Sequence, residues 1–281
     1  IPIRIQVKNG NFFQWHRKNP PNGRILPRIR LAFKYCHPYF TISPRKMSPM
    51  TLTSIAFIPD GNRRYAQSQH LSLAQAYQLG TQKSWEVMEW MLQYPQIKVG
   101  TFYTLSLENV TRSSMELQVL FKIFENEADK ILEKEIFKTH DFAIHFLGRL
   151  EKFPKHLQEK MQKIQEKSKD YGKRAINVAI GYNGRTEIID AAKKFAQEVQ
   201  LHPEKINELN ETNFKHYLYN EFQDPDMIIR TGYTQRLSGF LTYQSVYSEL
   251  YFLDKFWPEF SAQDLDAAVK EFDSRERRFG K

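Results

Sequence analysis

Five arginines stand just beyond short apolar runs of this chain: Arg64, Arg112, Arg185, Arg230 and Arg236. Each run reads as a strand, so in a parallel sheet the five would gather along the edge formed by the carboxyl ends. Crowded guanidinium groups repel one another unless an anion sits among them, and their planar forks match phosphate oxygens two at a time. The chemistry expected of this edge is therefore the binding of a phosphorylated ligand. Asp60 lies in the same row, within Pro59-Asp60-Gly61-Asn62-Arg63-Arg64, where a carboxylate left alone would repel that ligand. A divalent cation removes the conflict, because Mg²⁺ takes one or two protein carboxylates and completes its octahedron with phosphate oxygens and water. Glu249, at the last apolar run, is the candidate second carboxylate. Asp60-Gly61-Asn62 also opens a helix, whose free N–H groups and dipole favour phosphate. A plainer reading makes Asp60 a helix cap and each arginine half of a surface ion pair. It suits any one of these residues better than it suits five on one edge.

The elements that must place these residues follow from the apolar pattern. Strands are expected at residues 54–58, 99–105, 142–147, 176–181, 227–230 and 249–253. A helix is expected over 113–137, where Ser113 and Glu116 form a capping box and Leu117, Leu120, Phe121, Phe124, Ala128, Ile131 and Leu132 recur at spacings of three and four. Another is expected over 187–199, with Ile188, Ile189, Ala192, Phe195, Ala196 and Val199 on one face. Alternation of this kind predicts an α/β fold, a single domain built on a mainly parallel six-stranded sheet flanked by helices. The polar stretch 201–211 reads as a surface connection.

With 281 residues the chain is long enough for one sizeable core, and no stretch approaches the roughly 20 apolar residues needed to cross a bilayer. Its one cysteine, Cys36, cannot form an internal disulfide, which makes a cytoplasmic site the expectation. Ten basic and no acidic residues fall within 1–50, leaving 31 basic against 32 acidic over 51–281. That basic head reads in three ways: an arm for nucleic acid or an anionic membrane, a transit peptide, or residues that are not natively translated. Its helix breakers, and Met47 and Met50 just before the first strand, favour the last, with 1–50 a disordered or non-native extension and 51–281 the catalytic domain. No Gly-x-x-x-x-Gly-Lys-Ser/Thr loop, Gly-x-Gly-x-x-Gly or cysteine pair occurs, and the eight histidines lack metal-ligand spacing.

Seven segments follow one another along the chain: residues 58–66 (IPDGNRRYA), 106–112 (SLENVTR), 177–185 (NVAIGYNGR), 229–232 (IRTG), 248–252 (SELYF), Trp257-Pro258 and 275–280 (RERRFG). Read as a set and in this order, they resemble the motifs of cis-prenyltransferases, the family of undecaprenyl diphosphate synthase. The resemblance implies elongation of an allylic prenyl diphosphate with isopentenyl diphosphate, each added unit carrying a Z double bond, with Mg²⁺ as cofactor. It implies Asp60 as the Mg²⁺ aspartate and Glu249 as an acid involved in metal binding. Gly61, Asn62, Arg63, Arg64 and Arg112 would lie around the allylic diphosphate, and Arg230, Arg236 and Ser238 would hold isopentenyl diphosphate. Asn109 and Ser106 would stand near the reacting centre. A homodimer is implied, with a heteromer as the other arrangement, and peripheral contact with the inner membrane face is expected while a nucleic-acid partner is not.

An apolar tunnel for the growing chain is expected from helices carrying Trp85, Met88, Met91 and Leu92, and Leu117, Leu120, Phe121 and Phe124. The chain departs from the family pattern at Leu73, Tyr77, Val110, Tyr233-Thr234-Gln235 and Arg149, which implies altered substrate preference. Rival readings are a mainly structural subunit of a heteromeric enzyme, and a homologue with atypical condensation or a short product. A third makes residues 1–46 a nucleic-acid or lipid arm with salt-dependent binding.

Overall fold

The computed structural model describes residues 51–111, 114–219 and 221–275, together with two three-residue strands near the amino terminus. The chain divides into two compact units, Ile1–Met47 and Ser48–Lys281. In the first, Ile5–Val7 pairs antiparallel with Phe13–Trp15. The second holds six strands: β1 (Ser54–Ile58), β2 (Val99–Ser106), β3 (Phe142–Leu147), β4 (Arg174–Tyr182), β5 (Met227–Arg230) and β6 (Glu249–Phe252). They form one sheet in the order β3-β4-β2-β1-β5-β6, every pair parallel. This is the α/β architecture expected from the alternating pattern.

Both faces of the sheet are covered, which is why its central strands are mostly apolar and largely buried. All five residues of β1 and all four of β5 are buried. Period-two alternation sorts them. Ile55, Phe57, Met227 and Ile229 enter one core with Val87, Met91, Trp257, Phe260 and Phe272, while Ala56, Ile58 and Ile228 enter the other with Tyr103, Tyr182, Phe240 and Leu241.

Seven helices complete the unit among the described residues: α1 (Asn62–Ser68), α2 (Leu73–Met91), α3 (Ser114–Lys134), α4 (Ile136–His140), α5 (Lys155–Ser168), α6 (Gly184–Leu201) and α7 (Ala262–Ser274). Ser72 starts α2 through a reciprocal capping box with Gln75. The long helix expected over 113–137 is two helices, because Glu135 takes a left-handed conformation (φ 44°) that ends α3 and turns the chain into α4. Ser113, the expected cap, lies outside the described residues. Helix α6 begins at Gly184, three residues before the expected start, since the Asn183 side chain accepts from the N–H groups of Arg185 and Thr186 at 2.8 and 3.3 Å. Among the described residues no helix is long and apolar enough to cross a membrane.

Candidate active site

From β1 the chain steps to β2 on one side of the sheet, and from β5 to β6 on the other. Between these neighbours the winding direction reverses, and a crevice opens beyond their carboxyl ends. Asp60 lies two residues past β1 and Arg230 ends β5, in register with Ile58. The crevice brings them together: Arg230 donates through Nη2 to Asp60 Oδ2 at 2.8 Å, and Arg64 through Nη2 to Oδ1 at 3.1 Å. Arg64 reaches because it sits one turn of α1 beyond Asp60.

The backbone around this triad is built for close approach. Thr231 Oγ1 accepts from the Asp60 N–H at 3.1 Å and donates to the Asp60 carbonyl at 2.8 Å, pinning one strand end to the other. Trp257 adds its N–H to the same carbonyl at 3.0 Å. Gly61 holds φ 106° under Phe256, whose ring carbon would lie 2.6 Å from an added Cβ. Gly232 holds φ 90°, and a Cβ there would come within 2.9 Å of Asp60 and 2.8 Å of Arg64 Nη2. Phe256 also lies 5.5 Å beneath the Arg64 guanidinium, a cation–π contact.

The two guanidinium groups differ in freedom. The Arg230 side chain is 5% exposed and held on three sides, by Asp60, by Ser238 Oγ at 2.9 Å and by the Arg236 carbonyl. Its Nε is a buried donor without a partner among the described residues. Arg64 is 44% exposed and Asp60 30%, so both can meet an incoming ligand.

Gly61, Asn62, Arg63, Ser106, Asn109 and Ser238 border the same cavity as the triad. Ser106 sits where β2 slips its register against β4, and its Oγ accepts from the Asn109 N–H at 3.2 Å. A bulge at the end of a strand commonly re-aims a side chain toward a site. Asn62 is oriented by Nδ2 donating to the Pro59 carbonyl at 3.4 Å, with its Oδ1 buried and unpaired. Arg236 is exposed, with Nε 3.4 Å from Ser238 Oγ.

Two expectations are corrected. Arg185 does not join the triad: it is exposed on the first turn of α6. Glu249 is not beside Asp60 within this chain. It opens β6 in register with Met227 and pairs with Arg275 Nη1 at 2.6 Å. Parallel strands put their amino ends at the opposite edge, roughly 10 Å below Arg230 along the strand direction. Arg112 lies outside the described residues.

Sequence reasoning assigned no role to Thr231, although its place directly after Arg230 at a strand end was a usable signal. It also passed over Tyr103, whose hydroxyl donates to the carbonyls of Tyr182 and Ser238 at 3.2 and 3.3 Å and so braces the segment that holds Arg230. Burial, with the Glu108 carboxylate nearby, pushes that phenol well above its ordinary value, so it stays a donor.

Below the triad the crevice deepens into a cavity of about 760 Å³ between the sheet and helices α2 and α3. Its mouth is polar, with Asp60, Arg64 and Arg230, and its depth is apolar, with Met88, Leu120, Phe124, Ile131, Phe142 and Ile176. Of the residues expected to line a tunnel, Trp85, Met88, Leu120 and Phe124 border this space. Met91 instead packs on the sheet, where Gly100 leaves room for its methyl group, and Phe121 packs on Phe153.

A doubly wound α/β protein with an anion-seeking triad above an apolar pocket is built to hold a ligand charged at one end and greasy at the other. A family model described as "Putative undecaprenyl diphosphate synthase" matches residues 58–280. The chain is 40% identical to a tritrans,polycis-undecaprenyl-diphosphate synthase (geranylgeranyl-diphosphate specific) of Methanopyrus kandleri, over 81% of this chain and 84% of that one. It is 37% identical to an isoprenyl transferase of Thermus thermophilus, over 84% and 91% of the two chains. The fold superposes on lavandulyl diphosphate synthase of Lavandula x intermedia, crystallised with dimethylallyl diphosphate, with a TM-score of 0.78, 29% identity and coverage of 82% and 99%. The chain belongs to the undecaprenyl diphosphate synthase family and is a prenyltransferase.

Proposed function

We propose that the protein elongates an allylic prenyl diphosphate with isopentenyl diphosphate, adding each five-carbon unit with a Z double bond. The observation that carries this reading is the seating of Asp60, Arg64 and Arg230 at the mouth of an apolar cavity of about 760 Å³. Breaking an allylic C–O bond gathers negative charge on the departing diphosphate, and guanidinium groups already in place lower that barrier without rearranging at the moment of reaction. Arg64, with Gly61, Asn62, Arg63 and Arg112, serves the allylic diphosphate. Arg230, Arg236 and Ser238 serve isopentenyl diphosphate. The attacking alkene is a weak nucleophile, so the rate depends on alignment and on keeping water from the carbocation, roles that fall to Ser106, Asn109 and the apolar lining beneath them.

The donor set fits Mg²⁺ in one particular way. Among the described residues no three His, Cys, Asp or Glu side chains cluster to cage a metal. A single partly exposed carboxylate is what Mg²⁺ needs when most of its ligands are phosphate oxygens and water. Asp60 would hold it, and the ion would supply neutralisation of diphosphate charge. On this reading residues 51–281 are the catalytic body, two copies associate as the family resemblance implies, and the apolar product brings the enzyme to a membrane surface without a spanning segment.

Radiolabelled isopentenyl diphosphate, Mg²⁺ and allylic primers of graded length test the proposal directly. Extractable labelled prenyl product is expected, and Asp60→Ala should lower its rate at least roughly a hundredfold. Near-normal turnover by that variant would remove Asp60 from the mechanism, and the absence of product with every primer would overturn the reading.

A further inference from the structure

Segment 177–185 (NVAIGYNGR) puts Val178 and Ile180 on the cavity wall, yet its last three residues stand apart from the triad. What those residues hold is a junction. At the end of β4 the chain turns into α6, and two other strand-end segments lean on that turn. The Leu107 N–H donates to the Tyr182 carbonyl at 2.9 Å, which ties down the loop carrying Ser106 and Asn109. The Gly184 N–H donates to the Gly239 carbonyl at 2.7 Å, which ties down the turn carrying Arg236 and Ser238. Tyr103 serves both, since its hydroxyl reaches the carbonyls of Tyr182 and Ser238.

Asn183 completes the junction by using both ends of its amide. Its Oδ1 accepts from the N–H groups of Arg185 and Thr186, and its Nδ2 donates to Glu108 Oε1. The helix cap requires only the acceptor, which aspartate supplies as well as asparagine. The donor end does nothing for the helix. It grips a carboxylate that lies between Leu107 and Asn109 and borders the cavity, and a bond to a charged acceptor is about twice as strong as a neutral one. Condensation requires the two reacting carbons to meet at roughly 3–3.5 Å in the right orientation. Each substrate is held by a different strand-end segment, so their relative placement is only as precise as the tie between those segments.

We propose that Asn183 and Glu108 are positioning residues. Their hydrogen bond fixes the loop after β2 to the start of α6 and, through Gly184 and Gly239, to the turn after β5, so that the two diphosphate half-sites keep their register during condensation. The inference rests on the elongation reading above and gives segment 177–185 a part in the reaction. Both residues act through Ser106, Asn109 and Ser238, which that reading sets beside the substrates.

Single-turnover condensation of a labelled primer at saturating isopentenyl diphosphate, with the full chain, reads alignment apart from affinity. Asn183→Asp keeps the cap, loses the donor and sets a second carboxylate against Glu108. Its condensation rate is expected to fall at least roughly tenfold. Glu108→Gln in that background offers an amide donor to the new carboxylate and should restore most of the rate, whereas Glu108→Gln alone brings no gain. If Asn183→Asp does not fold, Glu108→Ala decides, since it leaves the cap intact: the same loss of rate supports the tie and the parent rate overturns it. A folded Asn183→Asp that condenses at the parent rate, or a loss that Glu108→Gln fails to reverse, overturns the proposal while leaving elongation intact. A urea midpoint that drops in step with the rate in both Asn183→Asp and Glu108→Ala would reduce the pair to a fold-stabilising contact and overturn it too. A parent chain that yields no labelled product overturns the elongation reading instead.

Discussion

At the scale of single residues, Asp60 and Arg230 carry unequal burdens. Asp60 is reachable from solvent and shared between two guanidinium groups, so a ligand can compete for it. Arg230 is nearly sealed, and its fork spans Asp60, Ser238 and the Arg236 carbonyl at once. A lysine at that position keeps the charge but offers a point in place of a fork. Hydrogen bonds to charged groups contribute about 1.5–3 kcal/mol each. Arg230→Lys should therefore raise KM for isopentenyl diphosphate by on the order of tenfold to a hundredfold, measured at saturating allylic primer. Unaltered KM would mean that this arginine only props up the strand ends. Tyr233 makes a smaller residue-scale point. It takes φ 54°, a left-handed conformation that favours glycine, with its ring edge against Phe256, centroids 5.2 Å apart.

Elements matter here through their ends. Strands β1 and β5 stop within two residues of the triad, and the turn after β5 is held open by Gly232. An alanine there meets both a positive φ and the Asp60 backbone. Gly232→Ala is expected to lose more than ~1 kcal/mol of stability in urea unfolding and to lower turnover as well, because the backbone that must shift belongs to Asp60. A variant as stable and active as the parent would show that the turn has slack. The helices present a different case. The apolar residues Leu157, Met161 and Ile164 of α5 and Leu265, Ala268, Val269 and Phe272 of α7 recur at helical spacing and are buried, so both elements were readable, yet neither was among the expected ones. The break at Glu135 was not readable, since its left-handed backbone depends on α4 folding back toward β3.

For the molecule as a whole, the site depends on a core some way beneath it. Trp257 is fully buried, stacks on Phe260 at 5.4 Å and donates Nε1 to the Gly80 carbonyl at 2.8 Å, while its own N–H holds the Asp60 carbonyl. It therefore couples α2, the loop after β6 and the triad. Trp257→Ala should cost about 3–5 kcal/mol in chemical denaturation, in line with large-to-small core substitutions. A loss below ~1 kcal/mol would mean that the surrounding rings collapse into the space. The cavity lies between this core and α3, which makes its volume a property of helix packing and not of any one segment.

The residue types and their order along the chain were enough to place Asp60, Arg64 and Arg230 at strand ends, and to give a parallel sheet and the family. Strand ends, glycines and arginines act locally, and local chemistry is written in local sequence. Which arginines meet was a matter of sheet order: the winding reversal between β1 and β5 joins Arg230 to Asp60, while the same parallel geometry carries Glu249 to the opposite edge and leaves Arg185 on an exposed helix turn. The pairing of Asn183 with Glu108 is of the same kind. It links residues beyond separate strands, and only the pairing of β2 with β4 brings an amide to a carboxylate.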